Sequence, residues 1–105
     1  MARARYSVVF TPEASQQLGA LPARDRRRLL DAAAAQLTHE PLVVTRNRKP
    51  MDHDKRFFVA PWELRVGNLR VYYAVESQPE AIVVVVAVGV KVRERVRISG
   101  KDVEP

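Results

Sequence analysis

The chain has 105 residues with 18 Lys and Arg, 12 Asp and Glu, a net charge of +6 and no cysteine. This length predicts one domain over residues 1–105, and the absence of cysteine excludes disulfides and thiolate metal sites. No secretion signal is recognisable and the longest apolar run, residues 81–90, is too short to span a bilayer, so we expect a soluble cytoplasmic protein without a membrane partner. The positive charge favours a polyanionic partner such as RNA or DNA.

The first half of the chain predicts a strand followed by two helices. Residues 4–10 alternate as a strand does, and Thr11, Pro12 and Glu13 form a helix start with an N-cap, a first-turn proline and a first-turn acid. This first helix should end near Gly19. A second helix is predicted from Pro22 to His39, with an apolar stripe of Leu30, Ala33, Ala34 and Leu37.

The segment 41–60 predicts a long loop, with a short strand piece around residues 57–59. The next stretch, PWELRVGNLRVYYAV, has Gly67-Asn68 between two alternating runs, which is typical of a two-residue β-hairpin. That turn places Arg65 directly opposite Arg70. A core face is then expected to carry Trp62, Leu64, Val66, Leu69, Val71, Tyr73 and Val75.

The run AIVVVVAVGV has both faces apolar, as in an interior strand or one at an interface. Residues 91–105 form a charged tail whose end is expected to fray. The order of elements predicts an α+β fold: an N-terminal strand, an α-hairpin, and then an antiparallel sheet of three further strands.

The hairpin face that carries Glu63, Arg65, Arg70 and Tyr72 is called the second face below. Two facing arginines suit bidentate phosphate contacts, and Tyr72 could stack on a base or donate a proton. Alternatively, Glu63 and Glu76 neutralise the arginines and the face is merely solvated.

Further cations favour an anion-binding surface, because three segments can bring basic groups to one side of the sheet. The tail contributes a cation at every second residue, and the loop before the hairpin contributes three more. These residues are Lys91, Arg93, Arg95 and Arg97 in the tail and Arg46, Arg48 and Lys49 in the loop. The cluster Asp52–Asp54 lacks metal-ligand spacing, so we expect neither metal nor cofactor.

The segments YSVVFTPEASQQLGALP, NRKPM, PWELRVGNLRVYYAV and VVVVAVGVKVRERV occur in an order that resembles the RelE/ParE superfamily of type II toxin–antitoxin toxins, over residues 5–97. The resemblance implies a microbial ribonuclease-like fold and a cognate antitoxin partner. It also implies either cleavage of mRNA on the ribosome, as in RelE-like members, or inhibition of DNA gyrase, as in ParE-like members. A homodimer and a toxin–antitoxin hetero-oligomer are both compatible with it.

Carried over by position, the resemblance implies that Arg70 contacts phosphate and that Lys91 or Arg93 is the basic residue after the strand-ending glycine. Pro61 and Glu63 stand where well-studied nucleases have lysines, and Arg97 stands near their C-terminal tyrosine. Lys49, Lys55 or Glu63 could take over the catalytic roles of these missing residues.

A metal-independent ribonuclease needs a base, an acid and cations. The candidates are Glu63 or Lys49 as the base, Tyr72 or a cationic side chain as the acid, and Arg65, Arg70 and Arg93 as the cations. An Arg70→Ala change is expected to abolish toxicity while leaving the fold intact. Gyrase inhibition without catalysis, and a basic nucleic-acid-binding module, are the alternatives.

Overall fold

The structure is a computed structural model that describes residues 5–51, 62–93, 95–98 and 101–103, the last three and Arg95 by their backbone only. In chain order its elements are β1 Ser7–Phe10, α1 Pro12–Gly19, α2 Ala23–Leu37, β2 Arg48–Pro50, β3 Trp62–Val66, β4 Leu69–Glu76, β5 Ile82–Val92, β6 Arg95–Ile98 and β7 Lys101–Val103. None of the helices in these ranges is long and apolar enough to cross a membrane.

The strands form one mixed sheet in the order β2-β3-β4-β5-β6-β7, and β1 pairs with β5. Neighbours along the order are antiparallel, whereas β1 runs parallel to β5, with Ser7 beside Ile82 and Phe10 beside Val85. The α+β class and the α-hairpin are confirmed. The sheet has more strands than the three predicted after the helices, because β2 forms within the expected loop and the tail adds β6 and β7.

The long strand β5 organises the sheet because one of its edges pairs with two different strands. Its first half pairs with β1 and its last residues, Val90 to Val92, pair with β6. Between these stretches the Val88 amide donates to the Gln17 side-chain oxygen at 2.8 Å. A side chain of α1 thus satisfies a backbone donor that neither strand reaches.

The helices start as predicted, but the buried stripe of α2 differs from the prediction. Thr11 caps α1 by accepting a hydrogen bond from the Ala14 amide at 3.1 Å. In α2 the buried residues are Leu29, Ala33 and Leu37, spaced four apart, while Leu30 is 40% exposed. The predicted stripe was wrong at Leu30 and at Ala34, which is also exposed, because α2 turns the neighbouring row toward the sheet.

The β3–β4 hairpin has the predicted register, from Val66 opposite Leu69 to Trp62 opposite Tyr73. Gly67 in the turn has φ +59°, a conformation that glycine adopts without steric cost. The predicted core face is confirmed and packs against the helices; Trp62 and Tyr73 stack there with ring centroids 6.1 Å apart. The Tyr73 hydroxyl donates to the Pro41 carbonyl at 2.6 Å and anchors the chain after α2.

The other side of the sheet carries a second, smaller core of Tyr72, Ala87, Val96 and Ile98, against which Met51 and Val86 pack. It forms because the tail turns back at Arg93, which has φ 58°, instead of continuing as one strand. The reversal sets Val96 opposite Lys91 and Arg97 opposite Val90. The cations of the tail therefore do not all lie on one side of the sheet: Lys91 and Arg97 lie on opposite faces.

Two further predictions concern residues 41–60. The structure has strand β2 at Arg48–Pro50, where a loop was expected, and it pairs with β3. The strand piece predicted around 57–59 lies outside the described residues.

Gly89 allows β6 to fold closely onto β5. A Cβ atom there would lie 2.8 Å from Ile98 Cγ1 and 2.9 Å from the Arg97 carbonyl oxygen. We predict that Gly89→Ala lowers the free energy of unfolding by about 1–3 kcal/mol, because β6 must move to admit the methyl group. Urea unfolding followed by circular dichroism measures the effect.

Gly19→Ala is the matched control, because nothing lies within 4 Å of a Cβ at this exposed helical position. This variant should be as stable as the parent or gain up to about 1 kcal/mol. Equal stability of Gly89→Ala and the parent would contradict the close approach of β6.

Candidate functional site

The second face brings several sequence-predicted residues together in two adjacent rows across the sheet. Lys49 on β2, Glu63 on β3 and Tyr72 on β4 are successive cross-strand partners. Arg65 and Arg70 form the next row, opposite Gly89 of β5. Because side chains alternate between faces, all five project from the side of the sheet opposite the helices.

Arg70 is buried, in contrast to the solvent-facing guanidinium expected at this position. The residue is only 6% exposed, and its Nη1 donates to the Gly67 carbonyl at 2.8 Å and the Leu69 carbonyl at 2.9 Å. Burial lowers the pKa of Arg70, and the nearby Glu63 carboxylate offsets part of that effect. Arginine still remains charged throughout the working pH range, so this is a fixed cation that holds the hairpin turn.

Glu63 relieves the repulsion between the facing arginines. The residue is only 5% exposed and its Oε1 accepts a hydrogen bond from Arg65 Nε at 3.1 Å. On its other side lies its cross-strand partner Tyr72; burial, together with the Glu63 carboxylate, raises the pKa of Tyr72 well above its usual range. Of the two explanations left open by the sequence, neutralisation by a nearby acid is therefore present, but the acid is buried rather than solvated.

Tyr72 is fully buried, with no exposed surface, in the second core. Its phenol lies beside the Glu63 strand position instead of facing solvent. The expectation that Tyr72 stacks on a base or protonates a leaving group from the surface does not fit this placement. Because burial raises its pKa, the hydroxyl stays protonated.

Exposed cations surround this buried centre. Arg65 is partly exposed, with 40% of its side chain accessible, and Lys49, Lys91 and Arg93 are exposed. The Lys91 amide donates to the Asn68 carbonyl at 2.7 Å, which places Lys91 beside the hairpin turn. These side chains make one edge of the second face positively charged around a single buried carboxylate. Arg46, in the exposed loop before β2, is a further surface cation.

Arg48 does not belong to that surface. It is 7% exposed and lies on the core face, where its Nη1 donates to the backbone carbonyls of Gln36 at 2.6 Å and Glu40. The expectation that it contacts RNA is corrected: Arg48 satisfies carbonyls at the C-terminal end of α2, where a cation also complements the helix dipole.

Arg97 is also separated from the second face. Arg97 is exposed, and its register opposite Val90 places it on the helix-bearing face. The backbone of Arg95 pairs with Val92, and its side chain lies outside the described residues, as do Lys55 and the cluster Asp52–Asp54. Within the described ranges no three His, Asp or Glu residues gather as a metal site would require.

Arg28 of α2 lies next to the hairpin turn, a contact that the sequence does not predict. Its guanidinium occupies the space that a side chain at Gly67 would need, and it forms an ion pair with Asp25 at 3.6 Å. The i, i+3 spacing of Asp25 and Arg28 predicts the ion pair. No local pattern links Arg28 to a turn that lies far along the chain.

No protein-family model and no curated protein matches the chain. Among solved structures, it is similar to a chain of the toxin–antitoxin complex RelBE2 from Mycobacterium tuberculosis, with 28% identity and a TM-score of 0.67. That likeness covers 84% of this chain and 100% of the other. The archaeal RelE–RelB complex from Pyrococcus horikoshii OT3 shares the fold, with 18% identity, a TM-score of 0.53 and coverage of 85% and 98%.

The fold is therefore RelE-like, and the resemblance to the RelE/ParE superfamily is confirmed. The neighbour that is 28% identical is a chain of a toxin–antitoxin complex.

Arg65 and Arg70 differ in burial, so replacing each by methionine should lower the free energy of unfolding by different amounts. Methionine has a similar length but no charge. Arg70→Met should lower the free energy of unfolding by about 2–4 kcal/mol, because it removes two buried hydrogen bonds and a cation facing Glu63. Arg65→Met should cost about 1 kcal/mol or less, because Arg65 is partly solvated.

Urea unfolding of both variants measures the difference. Equal costs would contradict the burial of Arg70. The earlier expectation that an Arg70 replacement leaves the fold intact is thus revised, because the side chain closes the turn.

Proposed function

We propose that the protein is a RelE-like mRNA interferase that cleaves mRNA on the ribosome in the cytoplasm and thereby arrests translation and growth. The observation that carries this proposal is the ring of exposed cations, Lys49, Arg65 and Lys91, around buried Glu63 on a RelE-like fold. A single-stranded polyanion is the ligand that such a surface suits best.

The proposed reaction is attack of a ribose 2′-oxygen on the adjacent phosphorus. A base takes the 2′-proton, the 5′-oxygen of the next nucleotide leaves with a proton from an acid, and the products are a 2′,3′-cyclic phosphate and a 5′-hydroxyl. Charge accumulates on the non-bridging phosphate oxygens, where fixed cations stabilise it. No metal ion is required by this scheme.

The placement of the side chains supports a narrower division of roles than the sequence allowed. Lys49 is exposed beside Glu63, which is buried and bonded to Arg65, so Lys49 is the proposed base. Lys91, exposed on the same face, is the proposed acid, since Tyr72 is fully buried. Arg93 and Arg46 are proposed to hold flanking phosphates.

We further propose a cognate antitoxin that covers the second face with acidic side chains. The solved neighbours are toxin–antitoxin complexes, and the net charge of +6 favours a partner of opposite sign. Within the apolar run of β5, Val83 and Val85 are not available for this contact, because both are fully buried in the main core.

Inhibition of DNA gyrase, as in ParE-like proteins, is the second candidate function. It is favoured by Glu63, a carboxylate at a position where nucleases have a lysine, and by Arg97, which lies on the helix-bearing face away from the second face. A non-catalytic nucleic-acid-binding module has only the net charge in its favour.

The test uses ribosomes that carry a defined mRNA with an empty A site. We predict that the purified protein cuts the mRNA within the A-site codon and that Lys49→Ala slows this cut by about 10²-fold or more, the typical contribution of a general base or acid. Primer extension locates the cut and measures its rate.

Arg24→Ala is the matched control, because Arg24 is an exposed cation of α2 on the opposite side of the sheet. It should retain the parental rate within about threefold. An intact mRNA, combined with inhibition of gyrase supercoiling in a parallel assay, would contradict the nuclease proposal and select the second candidate.

A further inference from the structure

We propose that Arg65, rather than its cross-strand partner Arg70, supplies the guanidinium that contacts an RNA phosphate, and that Glu63 positions it. This inference rests on the proposed function, since it names the phosphate-contacting group of the same face. It departs from the position-by-position resemblance, which implies that Arg70 makes the contact.

The first argument is access. Arg70 is 6% exposed and its Nη1 is already bonded to two carbonyls of its own hairpin. Arg65 has 40% of its side chain exposed on the same row of the sheet. Of the two arginines, Arg65 is therefore the one that a phosphate approaching the second face can reach.

The second argument is the direction of the guanidinium. Glu63 Oε1 accepts a hydrogen bond from Arg65 Nε at 3.1 Å, so the Nε side of the guanidinium is fixed. Within the described part of the chain, the two terminal amino groups of Arg65 make no hydrogen bond, which leaves the outer edge for a bidentate contact. Lysine at this position could supply charge but not that geometry.

The third argument is the rigidity of the anchor. Glu63 is 5% exposed and lies beside its cross-strand partner Tyr72, which is fully buried in the second core. An arginine that is already oriented loses less side-chain entropy when it binds, so the carboxylate improves phosphate binding although its own charge repels RNA. Glu63 is thus a positioning residue, which explains a carboxylate in a basic face.

The experiment measures binding of a fluorescent single-stranded 12-nucleotide RNA by anisotropy, over a series of salt concentrations. The RNA has 2′-O-methyl sugars at each position, so that it cannot be cleaved. The variants are Arg65→Gln, Arg65→Lys and Glu63→Gln, with Arg24→Gln as the control for the loss of one positive charge on the other side of the sheet. Each variant is assayed where its circular dichroism spectrum matches that of the parent.

Arg65→Gln should weaken binding about tenfold and reduce the slope of log K against log salt by about 0.7, the value for one phosphate contact on a single strand. Arg65→Lys should keep the slope but bind more weakly than the parent. Arg24→Gln should change the slope by much less than Arg65→Gln.

Glu63→Gln is the decisive variant, because it makes the protein more positive. Charge alone predicts tighter binding, whereas loss of positioning predicts binding two- to fivefold weaker with an unchanged slope. Tighter binding by Glu63→Gln, or equal slopes for Arg65→Gln and Arg24→Gln, would overturn the inference. If the parent cuts ribosome-bound mRNA in that case, the proposed function still stands; if it neither cuts mRNA nor binds this oligonucleotide, both fail.

Discussion

The buried carboxylate of Glu63 is the interaction on which the second face depends. Two arginines face each other across β3 and β4, and one of them is almost fully removed from water. A buried charge costs several kcal/mol unless it is paired, and like charges across a sheet repel. Glu63 lies one row away, bonds Arg65 directly and lowers the cost of charge on Arg70. Its cross-strand partner Tyr72 lies fully buried beside it in the second core.

The chain can bury this cluster because its sheet has a core on each side. Helices α1 and α2 cover the first face, while the turn at Arg93 brings Val96 and Ile98 over Tyr72 and Ala87 on the other. Gly89 permits that close approach. The second face is therefore apolar and packed at one end and cationic at the other, around the hairpin turn. This division separates residues that stabilise the fold from those that remain free to contact a ligand.

Local patterns determine the parts of the fold that the sequence predicts correctly. A two-residue turn and strict alternation fix the hairpin register and its faces, and Thr11 with Pro12 marks the start of α1. The parallel pairing of β1 with β5 and the burial of Arg48 depend on contacts between distant segments, which no local spacing reveals. In α2, leucines at 29 and 30 offer two equivalent stripes, and only packing selects Leu29.

The sequence predicts which residues share the face of the candidate site, but it does not predict how deeply they are buried. Alternation correctly places Glu63, Arg65, Arg70 and Tyr72 on one face. Whether that face is open to solvent depends on the tail, where Val96 and Ile98 pack on Tyr72. These two apolar positions are hard to recognise in the sequence because basic residues surround them. A positive φ at a non-glycine residue, Arg93, gives no sequence signal for the reversal.

The most direct test of this account compares the cost of Glu63→Gln in two backgrounds by urea unfolding. In the parent, loss of the carboxylate should lower the free energy of unfolding by about 2–3 kcal/mol, because the arginines then face each other without an acid. In the Arg65→Met, Arg70→Met background the same change should cost less than about 0.5 kcal/mol or be stabilising, because the buried carboxylate there has lost both cations. An equal cost in the two backgrounds would contradict the claim that Glu63 makes the facing arginines compatible with the fold.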